Sequence, residues 1–249
     1  LSSDVCSSDL CSEMQSGNKK KVSEVQQIDH RIIKLIVGLV ALGLVPAVYW
    51  LTQTELHSVS ASYYYPSSRD FFVGSLFVVG ALFSSFTGAT CAERLLTLVA
   101  SALAVIVALK PCGCGPTGEA GSALHFPAAI SLFGILAYFC WAFRKRARGK
   151  LNDYPKQANR RAHIYMICFG GMVLMMALAL MYKIPQAEMD LTYPNYIFWV
   201  EALGLVSFGV SWLTASRIIP WLTHPNERYR FTEGKARDDA LSERDNDNA

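Results

Sequence analysis

The chain has 249 residues, of which 52% are hydrophobic, with a formal net charge of +3 and a mean hydropathy of +0.25. Its apolar residues fall into six long blocks, which excludes an ordinary soluble core. The positive charges form runs between those blocks and match no fold that reads bases, so the excess is a topology signal and nucleic acid is excluded as a partner.

Residues 1–31 are a polar leading segment. The opening LSSDVCSSDL carries SSD twice, lacks a hydrophobic period and resembles translated sequencing-adapter DNA; residues 1–13 are read as an artefact and Met14 as the start. Lys19, Lys20 and Lys21 follow, with no short apolar stretch ending in a small-residue cleavage site, so a cleavable signal peptide is not expected. Without the leader, Cys91, Cys112, Cys114, Cys140 and Cys168 remain, scattered over loops and spans, and they make no disulfide framework.

The pattern predicts an all-α fold, a polytopic membrane helical bundle of six transmembrane helices over 32–219. The first span, 32–52, contains Pro46, which should kink it. The second, 70–88, follows a Ser- and Tyr-rich loop ending in Arg69 and Asp70. A turn with Glu93 and Arg94 leads to the third, 95–109, where Ala100, Ala104 and Ala108 recur at a spacing that lets helices approach closely. This short third block has a re-entrant loop as its alternative reading. A glycine-rich loop precedes the fourth span, 124–143, and the most basic stretch, RKRARGKLNDYPKQANRR, precedes the fifth, 162–182. The fifth carries Gly170 and Gly171 as another close-packing site, and the sixth covers 196–219. Residues 220–249 are too polar to bury a core and read as a mostly disordered tail.

Orientation follows the cations. With a cytoplasmic N-terminus, the inner segments hold Arg31, Lys34, Arg94, the 144–161 run and the C-terminal basic residues, against Arg69, Lys110 and Lys183 outside. Both termini are therefore expected in the cytoplasm of a bacterial inner (plasma) membrane, with membrane lipids as partners and a homo-oligomer open. The run at 144–161 is expected to bind anionic lipid and set topology.

Glu201 is the sharpest candidate, because it lies inside the sixth span, where a charge must be paired, solvated or protonated. Its role is either functional or a register-setting bond to Arg69 or a tyrosine hydroxyl. Asp70 and His125 open the second and fourth spans and could meet Glu201 in an outward-facing polar pocket. Asp70 also reads as a helix cap. Arg69 beside Tyr63 and Tyr64 suits a phosphate or carboxylate headgroup. His57, Asp70, His125 and Glu201 are candidate metal ligands for a hydrolytic centre, although no pair has close ligand spacing. Ser58, Ser60 or Ser62 with a histidine would make a nucleophile, without a GxSxG elbow. Cys112 and Cys114 are incidental or paired with each other.

SxSYYY…RDxFVG in 60–74, VALKP at 107–111, His125 with AYFC at 137–140, RxxIY at 161–165 and FWVEALGLVSFGVSWL at 198–213 together resemble a family of bacterial six-span inner-membrane proteins of unknown function, similar to the DUF998 type. The resemblance implies membrane location and six spans, and it supplies no activity or cofactor. The leading expectation is a lipid-headgroup or small polar ligand site lined by Tyr63, Tyr64, Arg69, Asp70, His125 and Glu201. Its alternatives are a metal-dependent hydrolase acting on a lipid amide or ester and a proton-coupled small-molecule transporter.

Overall fold

The structure, a computed structural model, describes residues 30–86, 88, 90–114, 121–182 and 195–224. The expectations for 1–29, for the loop at 183–194 and for the tail beyond 224 lie outside the described residues. Six long helices account for most of the rest, with no strand among the described residues: α1 His30–Thr52, α2 Pro66–Ser85, α3 Cys91–Leu109, α4 His125–Arg148, α5 Pro155–Tyr182 and α6 Tyr196–Ala215. They run up and down, with α2 packed along α3, α4 along α3 and α5, and α5 along α6.

Five of the six are long and apolar enough to cross a membrane, and α2 is not among them. Its first turns carry Arg69, Asp70 and three serines or prolines, which dilute an otherwise apolar 20-residue helix. The outer surface fits a lipid environment. Trp50 is 83% and Ile167 74% exposed, and Leu39, Leu95 and Leu174 also face outward. A protein in water rarely leaves so much contiguous apolar surface uncovered. Exposed Trp50 and Trp199 sit at one end of the bundle and Trp141 and Trp221 at the other, where amphipathic rings favour a membrane–water boundary.

Several element edges differ from the sequence reading. α3 is a full 19-residue helix, because Thr90 caps it by accepting the Glu93 amide at 3.2 Å, the start of a Thr-x-x-Glu capping box. That removes the re-entrant reading. α2 begins at Pro66, four residues earlier than expected, which moves Asp70 past the first turn, so it caps nothing. The basic stretch at 144–161 is largely helical: it supplies the last turns of α4, whose Lys145, Arg146 and Arg148 suit the negative end of the helix dipole, and the first turns of α5. α1 continues through Pro46 without a break. Residues 220–224 do not belong to a loose tail, since Leu222 and Thr223 are each only 1% exposed and His224 stacks on Tyr154 with centroids 4.5 Å apart.

Close helix approach is set by small residues. Ala100, Ala104 and Ala108 are fully buried, as their spacing predicts, and Gly80 of α2 lies against Ser101 and Ala104. α1 meets α6 at Gly38 and Gly209. A β-carbon on Gly38 would stand 2.8 Å from the Leu213 nitrogen, and one on Gly209 would stand 3.0 Å from the Gly38 oxygen. Only glycine lets these backbones touch. Beside that crossing, Trp212 is completely buried among Phe83, Phe86, Phe139, Phe143 and Phe208, with ring centroids 5.1–6.1 Å from it. This ring cluster lies toward the end of the bundle where α2 and α6 finish, with a cavity on either side of it.

Candidate functional site

Between α1 and α2 the chain does not cross the bundle end as an exposed loop. Leu56, Ser58, Val59, Ala61 and Ser62 are buried, and the segment closes in a 3-10 turn, Ser60–Tyr64. Its apolar residues pack against Leu44, Val48, Phe72 and Phe198. The Phe198 amide donates to the His57 carbonyl at 3.0 Å, and the Ser68 hydroxyl donates to the Ser62 carbonyl at 3.1 Å, which ties the segment to α6 and α2.

This inward fold brings donors to Glu201. The Ser58 hydroxyl donates to the Glu201 carboxylate at 2.8 Å, the Ser60 amide donates at 3.2 Å, and the Ser60 hydroxyl lies 3.4 Å from the other oxygen. The Ser60 amide also donates to the Ser58 oxygen at 3.1 Å, so serine and carboxylate hold one geometry. A carboxylate placed inside a helical bundle is costly unless donors of this kind replace its water. The expected partners, Arg69 or a tyrosine hydroxyl, are replaced by two serines.

Glu201 lies at one end of a cavity of about 120 Å³ that draws walls from all six helices. The cavity runs from Glu201, Ser60 and His125 down to Phe83, Leu136 and Phe208. Eleven residues of α4 separate His125 from Leu136, roughly 16 Å along the axis. Nearly every other lining residue is apolar, Ser75 being the remaining polar one. The pocket is thus a narrow apolar tube with one polar end, where the sequence suggested a polar pocket. His125, 6% exposed, belongs to that end, and its Nδ1 donates to the Lys110 carbonyl at 2.6 Å. A carbonyl can only accept, so this bond fixes the proton on Nδ1.

The other expected site residues lie elsewhere. Tyr63, Arg69 and Asp70 line a separate pocket of about 330 Å³ with Val73, Gly74, Ala108 and Leu109. Both charged residues there are exposed, and the Arg69 guanidinium lies over the Tyr63 ring, 4.8 Å from its centroid. The Tyr64 hydroxyl donates to the Cys112 carbonyl, and Cys112 forms a disulfide with Cys114. Tyr64 therefore anchors the loop after α3 to the inward-folded segment. His57 is exposed. Among the described residues, no three His, Cys, Asp or Glu side chains stand close enough to share a metal ion, so His57, Asp70, His125 and Glu201 do not form the centre that the hydrolase alternative needs.

The sequence reading had Asp70, His125 and Glu201 converging in one polar cavity; His125 and Glu201 line one cavity, and Asp70 lines another. It missed Ser58 and Ser60 as the carboxylate's partners, because loop serines are common and nothing local marks one that dips into a bundle. The available signal was the apolar spacing of Leu56, Val59 and Ala61 around them. No family model, curated protein or solved structure matches the chain.

Proposed function

We propose that this chain is a multi-pass membrane protein that binds a single-chain amphiphile, with the aliphatic part in the six-helix tube and a hydrogen-bond-donating, uncharged head, such as an amide or hydroxyl, at Glu201. In this reading α2 is the sixth span, since it completes the wall of the tube and is as long as α6. The cation-rich end faces the cytoplasm of a bacterial inner membrane, supported by the asymmetry between Arg31, Lys34, Arg146, Arg161 and Arg217 at one end and Arg69 and Lys110 at the other. The single observation that carries the proposal is a tube whose polar groups sit at one end, around a carboxylate already held by serine donors. An apolar pocket with a few convergent polar groups is the general form of a small-molecule site.

The test is photolabelling of the reconstituted protein with a diazirine-bearing aliphatic amide. Labelling should map to α4 between Ala129 and Leu136. Ala129→Phe, which fills the tube, should abolish it, and Glu201→Gln should weaken it. Labels confined to lipid-facing positions such as Ile167 and Leu174, or an Ala129→Phe variant that labels as the parent does, would sink the reading.

A further inference from the structure

α2 presents two faces. Phe72, Ser75, Leu76 and Val79 line the tube, whereas Arg69, Asp70, Val73 and Gly74 line the pocket of about 330 Å³ on the opposite side of the helix, with Tyr63 and two residues at the end of α3, Ala108 and Leu109. This pocket lies at the end of the bundle that carries Trp50 and Trp199, the level of a membrane–water boundary. The cavity at the other end of the bundle, about 610 Å³, is of a different kind. It is lined by Arg31 and Lys34 of α1, Arg146 and Lys150 at or just past the end of α4, Arg161 of α5 and Arg217 just past α6, and each of these cations already has an interaction within the chain.

Arg69 and Asp70 differ from that set. Both are exposed, and among the described residues neither forms an ion pair, with the other or with a third group. The Arg69 guanidinium is nevertheless positioned. It lies 4.8 Å from the centroid of the Tyr63 ring, Tyr64 braces that ring edge-on with centroids 5.7 Å apart, and the Tyr64 hydroxyl is fixed to the Cys112 carbonyl. The rest of the wall is apolar, and Gly74 keeps it open. Gly80 of the same helix lies against Ser101 and Ala104, whereas a β-carbon on Gly74 would meet nothing within 4 Å. A glycine inside a helix is destabilising relative to alanine, and no close packing requires this one.

We propose that this pocket binds the headgroup of a phospholipid bearing a primary amine, a phosphoethanolamine, from the leaflet at that end. The guanidinium fork takes the phosphate oxygens, and the Asp70 carboxylate accepts hydrogen bonds from the ammonium. One cation and one carboxylate in one pocket suit a zwitterion. Asp70 opposes a purely anionic head, and a choline head finds no aromatic cage, because Arg69 already covers the Tyr63 ring. The ligand is the lipid and not its free headgroup, because the wall passes from the two charged residues to Val73, Gly74 and Leu109, and Leu109 is 53% exposed on the outer surface. An acyl chain can follow that face into the bilayer. The site shares no lining residue with the tube, so it stands independently of the amphiphile reading.

The experiment uses the full chain, delipidated in detergent, with binding followed by native mass spectrometry. The probes are the dioctanoyl forms of phosphatidylethanolamine, phosphatidylcholine and phosphatidylglycerol, and O-phosphoethanolamine as the headgroup alone. Saturable binding of phosphatidylethanolamine is expected, with at least about a tenfold preference over the other two lipids, the worth of one charge-assisted hydrogen bond. Arg69→Ala should weaken it by a similar factor, and Asp70→Asn should erase the preference over phosphatidylglycerol. Gly74→Leu, whose side chain enters open space on a helix that leucine favours, should block binding without loss of thermal stability. Glu201→Gln and Ala129→Phe, which alter the tube, should leave binding within about twofold, as distant sites do. No saturable binding, equal affinity for the three lipids, O-phosphoethanolamine binding as tightly as the lipid, or unchanged binding in Gly74→Leu would overturn the proposal.

Discussion

The two cavities treat buried charge in opposite ways. At the Glu201 end, one carboxylate sits in an apolar tube and is satisfied internally, by Ser58 and Ser60 from a segment that folds inward. At the Lys34 end, six cations from four segments line a wide polar cavity, and one of them, Arg146, is paired with Glu93. One end holds a single group with local donors, whereas the other gathers charges from helices far apart in the sequence. The difference shows that a single intramembrane carboxylate stands out in the sequence, whereas a set of cations that looks like ordinary topology signal reveals its convergence only once the helices are packed.

The largest expected effect comes from upsetting the balance at the cationic end. Glu93→Ala removes the carboxylate paired with Arg146 and adds an unanswered positive charge. It should cost about 2–4 kcal/mol in detergent unfolding, below the roughly 3–5 kcal/mol for a fully buried pair because Arg146 is 37% exposed. Adding Arg146→Ala should restore part of the stability. Next, the Ser58→Ala, Ser60→Ala double variant strips the Glu201 side chain of its hydroxyl donors, at a cost of about 1–3 kcal/mol by detergent unfolding. Unchanged stability in that variant would mean that the serines do not hold the carboxylate. Tyr64→Phe loses one hydrogen bond to the Cys112 carbonyl, worth about 1 kcal/mol by thermal unfolding. The smallest effect is at Arg69→Ala, an exposed site away from both cavities, which should stay within about 0.5 kcal/mol and leave amphiphile labelling unchanged.

Much of the fold was legible because apolar blocks of span length and small-residue spacing are local signals. Ala100, Ala104 and Ala108 read as a packing face and are one. The edges were less legible: Pro66 and Thr90 start α2 and α3 ahead of their apolar runs, since a helix start follows its cap and not its hydropathy. Glu201 and His125 were readable as a pair because each is a polar group at the same depth of a span. Arg69, Asp70 and Tyr64 were grouped with them by depth alone, and depth does not say which side of a helix a residue occupies. Lys34, Arg161 and Arg217 lie far apart in the chain, and their convergence is a property of helix packing. One local hint existed, since Lys34 sits a full turn inside an otherwise apolar helix.

The ring cluster around Trp212 has a consequence for permeability. Phe83 and Phe208 line the tube, Phe143 lines the cationic cavity, and Trp212 touches all three. Water and ions in one compartment therefore meet a stopper of packed aromatic rings before the other. In a bilayer, a bundle hollow at both ends would otherwise offer a path through the hydrocarbon, and these packed rings close it.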